Sequence, residues 1–115
     1  MKLEKIEPEN TPAGRHYPND ACYRVIDAPQ GWRVVFIDHP IPDPFAQGYR
    51  VNGGAYFTAP EGRTEFVDYY GPNEEIAEVR ERIYSRFFAA TYEERAEDRA
   101  AEYRKIAEII EEGEK

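Results

Sequence analysis

The stretch CYRVIDAPQGWRVVFID, Cys22–Asp38, decides how this chain is read. Two runs rich in Val, Ile, Tyr, Trp and Phe flank a Pro-x-Gly centre, which is the pattern of strand, turn and strand. Pro29 presets φ for the first turn position, and Gly31 can take the left-handed conformation that closes a three-residue hairpin with a bulge. Such a turn sets a register: Asp27 opposite Arg33, Ile26 opposite Val34, Val25 opposite Val35, Tyr23 opposite Ile37 and Cys22 opposite Asp38. Bulky groups then fall on both sides, with Tyr23, Val25, Val35 and Ile37 on one and Ile26, Trp32, Val34 and Phe36 on the other. A ribbon of this kind is expected to be covered on both faces, or to meet another molecule on one.

The phrase returns in YRVNGGAYFTAPEGRTEFVDYY, Tyr49–Tyr70, which reads as a second hairpin about Ala59-Pro60-Glu61-Gly62. Here Thr58 faces Thr64, Phe57 faces Glu65, Tyr56 faces Phe66, Ala55 faces Val67 and Gly53 faces Tyr69. A large ring over a strand glycine recovers packing where there is no side chain. The two phrases are not a duplicated unit. Gly31 lies five residues before Phe36 while Gly62 lies four before Phe66, so the strand faces do not superpose, and similar turn chemistry used twice is the better account. "VNGG" lacks the lysine and following helix of a phosphate loop.

Outward from the hairpins, residues 1–21 are rich in Pro, Glu and Asn and offer only Leu3 and Ile6 for burial, as expected of an arm. HPIPDPFAQG, His39–Gly48, carries prolines at 40, 42 and 44 and reads as an extended strap rather than a strand. Beyond Pro72 the period changes from two to about 3.6. Asn73 is a suitable N-cap, and Ile76, Val79, Ile83 and Phe87 form one stripe beside another of Ala77, Tyr84 and Phe88. Thr91 with Glu94 makes a capping box that starts a second helix. Its expected buried stripe is Tyr92, Ala96, Ala100, Tyr103, Ile106, Ala107 and Ile110; Ile109 falls off that stripe, and carboxylates crowd the opposite side. The expected fold is α+β: two antiparallel hairpins making a sheet of about four strands, followed by two C-terminal helices packed on one face. It is organised as one domain, 1–115, with an arm (1–21), two hairpins (22–70) and two helices (73–113).

At 115 residues the chain is long enough for one core. Its net charge of −8 opposes direct binding of nucleic acid. Residues 1–72 carry ten acidic against seven basic side chains and residues 73–115 thirteen against eight, so the acidity is densest towards the C-terminus. One cysteine allows no internal disulfide and no thiolate-rich zinc site, which suits a reducing compartment. No run is apolar enough for a signal peptide or a membrane span, and the expected location is the cytoplasm, without membrane contact.

Catalytic chemistry is thinly supplied. Cys22 opposite Asp38, with His39 next in sequence, is the best nucleophile arrangement, but adjacent strand residues point to opposite faces and should not converge on one thiol. His16, His39, Asp20, Asp38 and Asp43 have no spacing that organises a metal site, so no metal and no cofactor is expected. Interaction chemistry is richer. Glu94, Asp98, Glu102 and Ile109 on the last helix, Trp32 and Arg63 near the turns, and Tyr84 with Phe88 are the candidate protein-binding residues. They point to a non-catalytic interaction module, a small acidic inhibitor or adaptor of the kind carried by phages and mobile elements. Its partner would be a larger protein with a basic surface, including one whose own ligand is nucleic acid. The alternatives are a subunit of a homo-oligomeric or phage-type assembly, and a small enzyme or ligand binder with a Tyr-lined pocket.

Overall fold

The computed structural model describes residues 1–7, 20–42 and 49–113. The order is β1 (Leu3–Ile6), β2 (Ala21–Val25), β3 (Arg33–Pro42), β4 (Tyr49–Thr58), β5 (Thr64–Pro72), a 3-10 turn at Asn73–Glu75, α1 (Ile76–Ala89) and α2 (Tyr92–Gly113). Chain packing resolves two compact units, Met1–Ile83 and Tyr84–Lys115. The first unit holds a five-stranded antiparallel sheet in sequence order, β1-β2-β3-β4-β5, so the strands come from a simple meander. The α+β class and the hairpin-built sheet agree with the sequence reading, with one strand more than expected.

The extra strand is β1. The opening residues of the expected arm pair with β2, Leu3 opposite Val25 and Ile6 opposite Cys22. Ile26 donates to the Lys2 carbonyl at 2.9 Å, and the Lys2 amide donates to Asp27 at 2.6 Å. Asp27 therefore serves the chain start and not Arg33. The Lys2 amide holds its carboxyl below the ordinary value, assisted by the nearby terminal amine.

The second hairpin has the expected register at every position, from Thr58 opposite Thr64 to Gly53 opposite Tyr69. Gly62 donates to the Ala59 carbonyl at 2.9 Å, so Ala-Pro-Glu-Gly are the four residues of one turn, and Gly62 at φ 97° forms the bulge. The first hairpin is displaced by one residue: Cys22 faces Ile37, Tyr23 faces Phe36, and Asp38 faces Ala21. The cause lies on the β2 side of the loop. Trp32 donates to the Pro29 carbonyl at 3.0 Å, so the tight turn is Pro29–Trp32 with Gly31 at φ 85° in its third position, and β3 begins directly after it at Arg33, whereas β2 ends at Val25 and leaves residues 26–28 outside the strand. A Cβ on Gly31 would lie 2.7 Å from Pro60 Cγ, so the two turns also touch.

The strap is a strand up to Pro42, paired with β4 through Pro40 opposite Val51 and Pro42 opposite Tyr49. Prolines fit there because of the alternation of main-chain bonds. Ala59 donates to Arg63, which makes residues 57, 55, 53 and 51 of β4 bond towards β5 and its even-numbered residues bond towards β3. On β3 the residues bonding to β4 are then the odd-numbered ones. Pro40 and Pro42 turn their missing N–H groups to the other side, where β2 has ended opposite Asp38. Residues 43–48 of the strap and 8–19 of the arm lie outside the described residues.

One sheet face carries Phe36, Phe57 and Tyr69, which meet edge-on with centroids 5.9 to 6.5 Å apart. The other carries buried Cys22, Val35 and Ile37, with Ile6 and Tyr56 beside them. The first hairpin thus contributes buried groups to both faces, as its two-sided pattern implies. A Cβ on Gly53 would lie 2.5 Å from the Tyr69 ring, which is the close approach that the sequence register required.

Asn73 does not cap α1 with its side chain; the helix is entered through the 3-10 turn instead. Within the second unit the capping box of α2 is present. Glu94 N–H donates to Thr91 Oγ1 at 3.2 Å, and Thr91 N–H donates to Glu94 at 3.3 Å. Arg95 closes the corner, donating to the Phe87 and Ala90 carbonyls at 2.9 and 2.6 Å with its guanidinium 3.9 Å from the Phe87 ring. One of the last carbonyls of α1, that of Phe87, and the Ala90 carbonyl just beyond the helix are satisfied in this way.

Candidate functional site

Two clusters of chemistry lie on opposite faces of the sheet, because Asp38 and His39 are neighbours on one strand. On the aromatic face, Tyr69 donates its hydroxyl to Asp38 and lies 3.1 Å from the Ile37 carbonyl oxygen. Arg80, from the second turn of α1, donates to the other Asp38 oxygen at 2.8 Å and places its guanidinium 5.0 Å from the centre of the Tyr23 ring. Asp38 and Tyr69 are buried, and burial together with the Asp38 charge drives the Tyr69 hydroxyl far above its ordinary value. A carboxylate held between a phenol that stays protonated and a guanidinium is a structural pin: it neutralises a buried charge and ties α1 to β3.

On the other face, His39 Nδ1 lies 2.5 Å from Asp20 Oδ1. Cys22 shares this face, not that of Asp38, which corrects the expected pairing. The carboxylate that reaches the imidazole is Asp20, a residue the sequence offered only as a possible metal ligand. Cys22 is 1% exposed, and burial, followed by the charges of Asp20 and Asp38, raises its thiol above the ordinary value. A nucleophilic cysteine needs the opposite shift. Among the described residues, no group of three or more His, Cys, Asp or Glu could hold a metal ion; His16 and Asp43 lie outside them.

The interaction residues are dispersed. Trp32 is half-buried just after the first turn. Arg63 pairs with Glu61 at 2.7 Å and approaches Glu65 at 3.7 Å, so it braces its own hairpin. Tyr84 and Phe88 stack edge-on at 5.0 Å, with Phe87 against Phe88 at 5.1 Å. Glu94, Asp98, Glu102 and Ile109 are all exposed on α2.

The largest departure from expectation is α2 itself. It has no buried residue. Tyr103, Ile106 and Ile110, read from the sequence as core, are 72%, 53% and 56% exposed, and Ile109 is 68% exposed. The stripe has the spacing of a packed helix, yet its Ala96, Ala100 and Ala107 offer little area to bury, and apart from Tyr92 its large residues fall in the last three turns. Asp98 and Glu102 border that stripe on one side and Glu93 and Glu97 on the other, as the 100° step per residue requires. The spacing of this arc alone reads as core; the paired carboxylates beside it are the sign in the sequence of an exposed surface. Among the described residues, no helix is long and apolar enough to cross a membrane. No protein-family model, curated protein or solved structure matches the chain.

Proposed function

We propose that the protein is a non-catalytic interaction module of the inhibitor or adaptor kind, and that α2 is its binding element. The supporting observation is the arc of Tyr103, Ile106, Ile109 and Ile110, standing in water on a helix with no buried residue and bordered by carboxylates. Removing side chains of this size from water contributes about 1.5–3 kcal/mol each. The fitting partner is a protein with an apolar groove rimmed by Lys and Arg: α2 carries eight acidic against four basic residues, so a basic rim is attracted and an acidic one repelled. The capping box and the Arg95 corner hold the start of the helix and present it pre-formed, which lowers the ordering cost of binding. At the two sheet clusters the thiol is raised above its ordinary value and the Asp38 carboxylate is engaged by Arg80 and Tyr69, which supports a non-catalytic reading.

Cross-linking of the full chain in cells, followed by mass spectrometry, identifies the partner, and titration with the purified partner then tests the surface. Tyr103→Ala with Ile110→Ala, and separately Glu94→Lys with Asp98→Lys and Glu102→Lys, are expected to weaken binding by about tenfold or more each while leaving the sheet folded. A partner bound equally well by wild type and both variants overturns the assignment to α2.

A further inference from the structure

The two edges of the sheet are unlike. β1 has four residues, includes Lys5 and follows Lys2, so it is short and charged in the way that protects an edge from pairing. β5 has nine residues, TEFVDYYGP, runs in unbroken register along β4, and has no lysine, no bulge and no proline before its last position. Its two charges are Glu65, which meets Arg63, and Asp68. Among the described residues nothing pairs with its outer side.

Which groups face outward follows from the bonded pair Ala59–Arg63. Alternation makes 57/65, 55/67, 53/69 and 51/71 the bonded pairs, so the N–H and C=O groups of Thr64, Phe66, Asp68 and Tyr70 point away from β4. The non-bonded pairs are the ones with closer side chains, in keeping with the Thr58 and Thr64 hydroxyls at 3.0 Å and the Tyr56 and Phe66 rings at 4.9 Å.

The geometry points to a second copy of this chain as the occupant of that edge, paired antiparallel about a two-fold axis at Val67. In this register Thr64 faces Tyr70 of the other copy and Phe66 faces Asp68, so all four outward residues of each strand are used, in eight main-chain hydrogen bonds. Asp68 lies against an aromatic ring and Glu65 against Tyr69, with no like charges directly opposite. Centring the axis on Asp68 sets two carboxylates face to face, and centring it on Phe66 leaves Tyr70 unpaired. The contact is isologous and closed, which yields a dimer and not a fibre. A dimer joined along one strand has a small interface and is therefore reversible and dependent on concentration. It uses a surface separate from α2 and does not rest on the reading of that helix.

Sedimentation equilibrium of the full chain from micromolar to millimolar concentration, at low and high salt, is the first measurement. A monomer–dimer equilibrium that tightens with salt is expected, because two acidic chains approach each other. Asp68→Pro removes an outward N–H without touching a bond to β4, and is expected to weaken the dimer by about tenfold or more. Val67→Cys places two thiols at the axis, where non-bonded antiparallel partners lie ~4.5 Å apart between Cα atoms, and should cross-link under mild oxidation; Thr64→Cys should not. A wild-type monomer throughout, equal dimerisation of the Asp68→Pro protein, or cross-linking at Thr64→Cys but not Val67→Cys overturns the proposal. The cysteine pair decides it even where the proline variant fails to fold.

Discussion

Asp38 is the residue on which the first unit turns, since it is a buried carboxylate with a partner on β5 and another on α1. Removing one member of a buried pair strands the other, so Asp38→Ala and Arg80→Ala should each lower unfolding stability by about 3–5 kcal/mol. Replacing both together, Asp38→Leu with Arg80→Met, should recover much of that loss, because no uncompensated charge remains; urea denaturation of the three variants measures the cycle. If the singles fall within the range of ordinary surface changes, Asp38 is not the pin described here. Cys22 gives a pH dependence of determinate sign. Its folded thiol is raised above the ordinary value of 9.0, so the folded chain keeps a proton that the unfolded chain releases. Its contribution is complete below that value and is lost as pH rises beyond it. Urea midpoints measured from neutral pH to above 9 should therefore decline more steeply in the wild type than in Cys22→Ala, and the native thiol should resist alkylation at neutral pH.

At the scale of elements, the capping box makes a local prediction. Thr91→Ala removes the acceptor of the Glu94 N–H and should cost α2 about 0.5–2 kcal/mol, read as faster hydrogen exchange in its first turn and unchanged exchange in β3 and β4. Unchanged exchange at Glu94 would show that Arg95 alone holds the corner. Thr91 and Glu94 could be found in the sequence because both partners lie within one turn. The same holds for the second hairpin, where Pro60 and Gly62 fall at positions that admit one turn type. The first hairpin misleads because Ala-Pro-Gln-Gly has the same spacing but residues 26–28 before the turn do not join the strand, and the resulting single-residue slip carries Cys22 to the face opposite Asp38. β1 was illegible for another reason: four residues between polar neighbours form a strand only because β2 lies ready to pair, a long-range fact that no local pattern carries. In the candidate site, the arc of α2 was visible and its burial was not, since periodicity says which residues share a face and is silent on what covers that face.

For the whole molecule, the charge of −8 sets two associations against each other. Salt weakens attraction between the acidic α2 and a basic rim, and it relieves repulsion between two copies meeting along β5. The affinity for a heterologous partner should accordingly fall as ionic strength rises, while the dimer tightens. A shared cause such as general stickiness of exposed apolar surface would move both in one direction, since salt at moderate concentration acts on apolar contacts with one sign. The variants separate the two further. Charge reversal at Glu94, Asp98 and Glu102 should abolish the salt dependence of partner binding and leave the pairing of residues 64–70 intact, whereas Asp68→Pro should leave partner binding unchanged. Titration calorimetry of both variants at two salt concentrations measures all four outcomes. A partner affinity insensitive to salt in the wild type would mean that Ile106 and Ile110 carry the contact without help from the carboxylates around them.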